Sequence, residues 1–436
     1  MKNHKLLVPI VLVMMLFLSY YTLYSSRTEI VREYEQYLSA ARNYADQGIA
    51  VDAIQNYVSA LAVKDSFEVN LEVGEFYSRI GDVNAAITWG EALVVKYPET
   101  AKGYEFLLNL YKNNTQYEQC FKLYSTIQKR NIVSKNITKM LREIKYYYYL
   151  DQDFEDVTVY SNGYCAVQTG GKWGFANEKG SKVIPCQFMA VGPFLGDVAP
   201  VKTMEGDSYF IDKEGNKKLV PQGIDNIVEL SAMYDGKFSV YDGRHWTYYS
   251  GDYKKISEAY DSTTIIANGV AAVGENGYFY LIDTENKKIN DQKYVDVIVD
   301  EKGVIYRNGV LFVKTENTYY MIDIEGNRIG KEEFKNAKLF GDKTYAAVEG
   351  ENGWYFIDNT GKPVFKDKYF QDARSFVNGY AAVKQDGYWG FIDMEGNVVI
   401  ECTFDDAKDF NGSGNALIKQ EDVWRLLKLY SGNYDI

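Results

Sequence analysis

Residues Phe376-Val377-Asn378-Gly379-Tyr380-Ala381-Ala382-Val383 are followed, after Lys384-Gln385-Asp386, by Gly387-Tyr388-Trp389-Gly390-Phe391-Ile392-Asp393 and then by Gly396-Asn397-Val398-Val399-Ile400. Each short β-branched and aromatic run stops at a cluster of Gly, Asn or Asp. That texture predicts strands at Tyr380 to Lys384, Tyr388 to Asp393 and Asn397 to Ile400, joined by tight turns. Asn-Gly pairs are strong turn signals because both residues tolerate positive φ. A further run, Phe370 to Phe376 or Phe404 to Phe410, supplies a fourth strand leading to the next unit.

Working outward, Asn162-Gly163-Tyr164, Trp173-Gly174-Phe175 and Gly180 before Val183-Ile184-Pro185 repeat the same order. Alignment on the tryptophan gives Trp173, Ser208, Trp246, Phe279, Tyr319, Trp354, Trp389 and Trp424, spaced 35, 38, 33, 40, 35, 35 and 35 residues. Five of the six tryptophans fall on this one position, and six of the eight units carry glycine ten residues earlier. These are eight copies of one unit, over residues 154–436.

The Trp173-Gly174 and Trp389-Gly390 pairs give the region its resemblance to the bacterial WG-repeat family. The resemblance implies β-repeat architecture, an interaction module, and no common catalytic site. Four short strands in about 35 residues suit a propeller blade, and eight such units close a ring. The entering run Phe154 to Tyr160 is placed to complete the last blade. An open β-solenoid explains the same period with a different phase.

From Glu29 to Leu150 the apolar residues recur at helical spacing, and Tyr44, Tyr77 and Tyr111 stand 33 and 34 residues apart. Nine residues after each comes a small residue, Ala53, Ala86 or Cys120, and seven further on stand Ala60, Leu93 and Ile127. Small residues at that period, where two helices approach closely, resemble the tetratricopeptide repeat. Gly90 stands where that pattern has a large residue and Leu108 where it has a small one. About three repeats are expected over residues 29–150, with Val133 to Leu150 as a closing helix. The resemblance implies a concave groove for a peptide or partner helix; a spacer and self-association stalk is the plainer alternative.

Residues 1–5 read as a short tail carrying Lys2 and Lys5, ahead of Leu6 to Leu23, eighteen residues without a charge. At 1.5 Å per residue this run would span about 27 Å, near one hydrocarbon core. Residues 6–24 are therefore expected to form a transmembrane signal anchor, with the bulk of the chain extracytoplasmic. The run is longer than the apolar part of a cleaved signal peptide.

Composition excludes several functions. The chain has 436 residues, 48 basic against 60 acidic, a formal charge of −12, and only His4 and His245 as histidines. The acidic balance disfavours nucleic-acid binding, and two histidines nearly exclude serine-type triads and multi-histidine metal sites. Asp212, Asp283, Asp323, Asp358 and Asp393 each stand four residues after the aligned position, three of them as Asp-x-Glu-Gly-Asn. Calcium would use carboxylates, but Asx-turn chemistry explains a glycine three residues on, and the alternating acids of a helix-loop-helix site are missing. The one Gly-Gly pair, Gly170-Gly171, reads as a hairpin turn, and His245 as a turn or surface residue. Cys120, Cys165, Cys186 and Cys402 read as free, buried thiols. No residue is assigned to catalysis, a cofactor or a metal.

The expected fold class is thus multidomain α + β: a transmembrane helix, a tetratricopeptide-like helical solenoid, and an all-β repeat domain. The expected function is a membrane-anchored, non-catalytic scaffold for protein partners at a bacterial cell envelope, using the helical groove, the β-repeat face, or both. A glycan or cell-wall-binding module and, behind it, a propeller hydrolase are the alternatives.

Overall fold

The computed structural model describes the backbone of residues 4–432 and 434, and the side chains of these except residues 4–12 and 22–26. The chain divides into two compact units, with the boundary between Lys145 and Tyr146.

The first unit is helical: α1 (His4–Asp46), α2 (Ala50–Val63), α3 (Phe67–Arg79), α4 (Val83–Lys96), α5 (Ala101–Asn113), α6 (Tyr117–Lys129) and α7 (Lys135–Ile144). Side-chain oxygens define several starts: Ser66 accepts from the amide of Val69, Asp82 from Ala85, and Ser134 from Asn136 and Ile137. Ala53, Ala60, Ala86, Leu93, Cys120 and Ile127 are all buried, so the periodic positions form the core between helices. The departure at Gly90 is filled from α5: a Cβ there would lie 3.1 Å from Leu107 and 3.3 Å from Phe106. The closing helix ends at Ile144, six residues before the expected Leu150, because Tyr148–Phe154 is a strand of the second unit.

The membrane-spanning expectation fails. No helix among the described residues is long and apolar enough to cross a membrane. Residues 6–24 lie within α1, a single helix of 43 residues, whose C-terminal part buries Tyr34, Leu38, Ala41 and Ala45 in the helical core. Within the expected span, described side chains cover residues 13–21, where Ser19, Tyr20 and Tyr21 already dilute the apolar run. Residues 6–12 and 22–24 lie outside the residues with described side chains, as residues 1–3 of the tail lie outside the described residues altogether. The signal anchor, the membrane partner and the cell-membrane location are withdrawn with the span.

The second unit is an eight-bladed β-propeller, which removes the open-solenoid alternative. Among the described residues there are eight sheets, six of four strands and two of three. In chain order the blades occupy residues 156–188, 190–219, 229–260, 262–294, 296–334, 336–370, 372–404 and 406–429. In blades 4 and 6 the bridges Phe279 to Tyr294 and Trp354 to Phe370 stand in for the fourth strand. The last blade is completed by strand Tyr148–Phe154, which pairs antiparallel with Val423–Leu429. The closing strand therefore lies upstream of the expected Phe154 to Tyr160. Asn411 and Asn415, both buried, each donate a side-chain N–H to the Glu178 carbonyl of blade 1 at 2.9 Å, and Ser413 Oγ donates to the Glu178 carboxylate at 2.8 Å.

The Trp-Gly pair has a steric cause. Trp389 pairs with Phe404 and Phe391 with Ile400, so Gly390 alone faces the three residues Glu401 to Thr403 of the outer strand, and the outer backbone bulges onto the glycine. A Cβ at Gly390 would lie 2.5 Å from the Ile400 carbonyl oxygen, and one at Gly174 lies 2.5 Å from that of Ile184. Trp389 is buried in the core beside this bulge, and Trp354 and Trp424 are buried at the aligned position of their own blades.

Candidate functional site

The site grows from one departure in the repeat. Thirteen residues separate Asp296 from Gly309 in blade 5, where seven separate Asp372 from Gly379 in blade 7. The additional residues form a tight turn in which Asp300 Oδ1 accepts the amides of Lys302 and Val304, both at 2.9 Å. This turn is packed, not loose. Val304 and Ile305 are buried, Val304 clusters with Ala232, Ile265 and Ala267 of blades 3 and 4, and the Ile265 amide donates to the Gly303 carbonyl at 2.9 Å.

Opposite the turn lies a basic wall. The backbone bonds that follow the short inner strand place Lys338, Arg374 and Lys408 at one equivalent position in blades 6, 7 and 8. The other five blades carry Thr158, Gly192, Ser231, Thr264 and Ile298 there. Arg374 grips Asp409 of blade 8 through Nε at 2.6 Å and Nη2 at 3.3 Å, the forked geometry that suits a carboxylate. Its Nη1 donates to Glu301 at 2.6 Å, and Lys408 Nζ reaches the other Glu301 oxygen at 3.2 Å. Glu301 thus ties its turn to partners 73 and 107 residues away in sequence.

The electrostatics follow from burial and pairing. Burial acts to raise the Glu301 carboxyl, but Arg374 and Lys408 outweigh it and hold the group below the usual carboxylate range. Burial likewise opposes charge on Arg374, and Asp409 with Glu301 more than restores it. Arg307 pairs with Asp300 at 3.0 Å. Lys302 is half-buried, and burial first, then Arg307, depress its ammonium. Among the described residues Lys302 and Lys338 form no ion pair; Lys338 lies over the Trp354 ring at 5.1 Å. A cavity of ≈ 440 Å³ opens between the turn and this wall, lined also by Tyr160, Asn162, Phe340 and Asn378.

The helical unit has its own groove, lined by Leu71, Phe106, Asn109, Lys112, Met140 and Glu143 among others. Some of its polar groups are engaged: Lys112 pairs with Glu143, and Glu105 accepts from Ser134 at 2.5 Å and Asn136 at 3.2 Å.

The aspartates singled out in the sequence do not converge. Each closes its own turn: Asp212, Asp283, Asp323, Asp358 and Asp393 accept the amide four residues on, at 2.7–3.0 Å. Among the described residues no group of three His, Cys, Asp or Glu side chains is placed to hold a metal ion. His245 is exposed in the turn closed by Asp242. All four cysteines are free, with Cys120 and Cys165 buried but Cys186 and Cys402 half-buried, against the expectation of full burial. The basic wall was missed by sequence reasoning. Its one available signal was the 40-residue spacing from Phe279 to Tyr319, the longest of the set, which marks the inserted turn.

Comparison with known proteins then gives the following. The WG containing repeat model matches residues 153–173, 173–206, 356–389 and 389–424, all within the propeller unit. No curated protein matches by sequence. The chain is similar to BamB from Moraxella catarrhalis at 12% identity and TM-score 0.41, over 65% of this chain and 100% of that one. It is similar to a eukaryotic initiation factor at 12% identity and TM-score 0.43, over 66% and 88% of the two chains. Hsv2 from Kluyvelomyces marxianus is similar at 10% identity and TM-score 0.37, over 56% and 93%.

Proposed function

We propose that this WG-repeat propeller is a non-catalytic binding scaffold that engages a protein partner through the channel face built by blades 5 to 8. Repeat domains present large rigid surfaces that lose little ordering entropy on binding, which suits recognition. The observation that carries the reading is the equivalent placement of Lys338, Arg374 and Lys408 in three consecutive blades, around a cavity of ≈ 440 Å³. Arg374 and Lys408 are tied to Glu301 and Asp409 within the ring, whereas Lys338 at the equivalent position forms no ion pair among the described residues. The helical unit, read as tetratricopeptide-like, then serves as a second surface or a spacer; in its groove Lys112 pairs with Glu143 and Glu105 accepts from Ser134.

The test is capture from an extract of the source cells by the full chain, compared with Lys338→Glu on the channel face and Lys139→Glu in the helical groove. Loss of a discrete protein with the first variant alone supports the channel face. Loss with the second alone moves the binding surface to the groove, and capture that neither variant alters removes both.

A further inference from the structure

We infer that the channel cavity receives an acidic peptide turn of a partner protein, and that the blade 5 turn is the resident occupant of the neighbouring half of that site. The inference rests on the binding reading above and adds the partner's chemistry. Glu301 shows how the wall takes a carboxylate: it is carried on a tight turn, bonded by Arg374 at 2.6 Å and by Lys408 at 3.2 Å. The wall's geometry therefore already fits a carboxylate on a peptide backbone. Two cations beside it form no direct ion pair among the described residues: exposed Lys338, over the Trp354 ring, and half-buried Lys302, whose charge is favoured only at longer range by Asp300, Asp409 and Glu301. Burial and Arg307 outweigh those carboxylates at the Lys302 ammonium, and an incoming carboxylate in direct contact relieves the cost. The cavity between them, ≈ 440 Å³, is within the usual range for a bound ligand and has room for a few residues of chain.

The experiment uses the full chain and two capped peptides, Gly-Asp-Glu-Asp-Gly and its Gly-Asn-Gln-Asn-Gly counterpart, with binding followed by calorimetry at low salt. The acidic peptide binds and the amide peptide does not. Lys338→Gln, at an exposed position that leaves the fold intact by thermal melt, weakens binding about tenfold, and Lys302→Gln does the same. Glu301→Gln removes the resident carboxylate and tightens binding severalfold. Added salt weakens it, as expected of exposed charge. Equal binding of both peptides, or affinity unchanged by both lysine variants, overturns the inference. So does succinate competing as well as the peptide at equal concentration, which makes this a small-anion site. If the acidic peptide fails while capture of a protein is still lost with Lys338→Glu, the binding scaffold stands and the acidic-turn assignment falls.

Discussion

Nη1 of Arg374 in blade 7 donates to Glu301 Oε1 at 2.6 Å, joining two residues 73 positions apart across the central channel. The same guanidinium holds Asp409 of blade 8, so one side chain fastens three parts of the ring. Arg374→Met should therefore destabilise the propeller by about 2 kcal/mol in urea melts. That is less than the roughly 3–5 kcal/mol of a fully buried broken pair, because Glu301 retains considerable solvent access and Lys408. Arg374→Lys should recover only part, since an ammonium cannot fork onto Asp409.

Stability should also fall in acid, partly through Glu301. Its carboxyl is held below the ordinary range in the folded protein, so the contribution is complete above the unfolded value of about 4.3 and is lost as pH drops through the lower folded value. Melting curves from pH 6 to pH 3 check this. Glu301→Gln should flatten the acid limb while leaving the shape between pH 6 and pH 8 unchanged.

Glycines of the repeat should differ sharply in tolerance. Gly390→Ala drives a methyl to within 2.5 Å of the Ile400 carbonyl oxygen, a backbone atom that cannot rotate away, and should cost about 3 kcal/mol. Gly379→Ala meets nothing within 4 Å but sits at φ +86°, and should cost about 1 kcal/mol. Denaturant midpoints of the two variants decide; equal losses would show that the bulge relaxes around the added methyl.

Thiol labelling should separate the cysteines. Burial pushes the Cys120 and Cys165 thiols up to about 12, so almost no thiolate forms at pH 8 and a disulfide reagent should leave both unmodified in the native protein. Cys186 and Cys402, half-buried on equivalent outer strands, should react first. Mass spectrometry of the labelled chain reads the order, and denaturant should make all four equivalent.

What the sequence disclosed follows physical scale. The eight-unit count was legible because every blade repeats the same strand and turn order around its own core: Trp389 beside Gly390, for one, is fixed by contacts within about 35 residues. The Asn-Gly turns were legible for the same reason, with Asn378 at φ +53°. Their second role was not, since Asn162, Asn268 and Asn378 each donate a side-chain N–H to a carbonyl of the next blade, at 2.7, 3.2 and 2.9 Å. The charged wall was hidden because Arg374 and Lys408 meet Glu301, with Lys338 at the equivalent place beside them, only once the ring has brought blades 5 to 8 around one axis. The spanning helix was misread because an uncharged run was counted without discounting its Ser and Tyr content or the helix it continues into.

Ring closure should control how fast the propeller opens. The contacts that join blade 8 to blade 1 link residues 233 to 237 positions apart, and such distant contacts are costly to form early in folding. Asn411→Ala removes the bond to the Glu178 carbonyl and also orphans the amides of Ser413 and Asn415, which its side-chain oxygen accepts at 3.0 and 3.1 Å. Because Asn411 is buried, those groups gain no water in exchange, and the loss should be about 2–3 kcal/mol. If closure is late, nearly all of that appears as faster unfolding, by about thirty- to 150-fold in denaturant jumps, with refolding little changed. Slower refolding by the same factor would instead place the blade 8 to blade 1 seam in the folding nucleus.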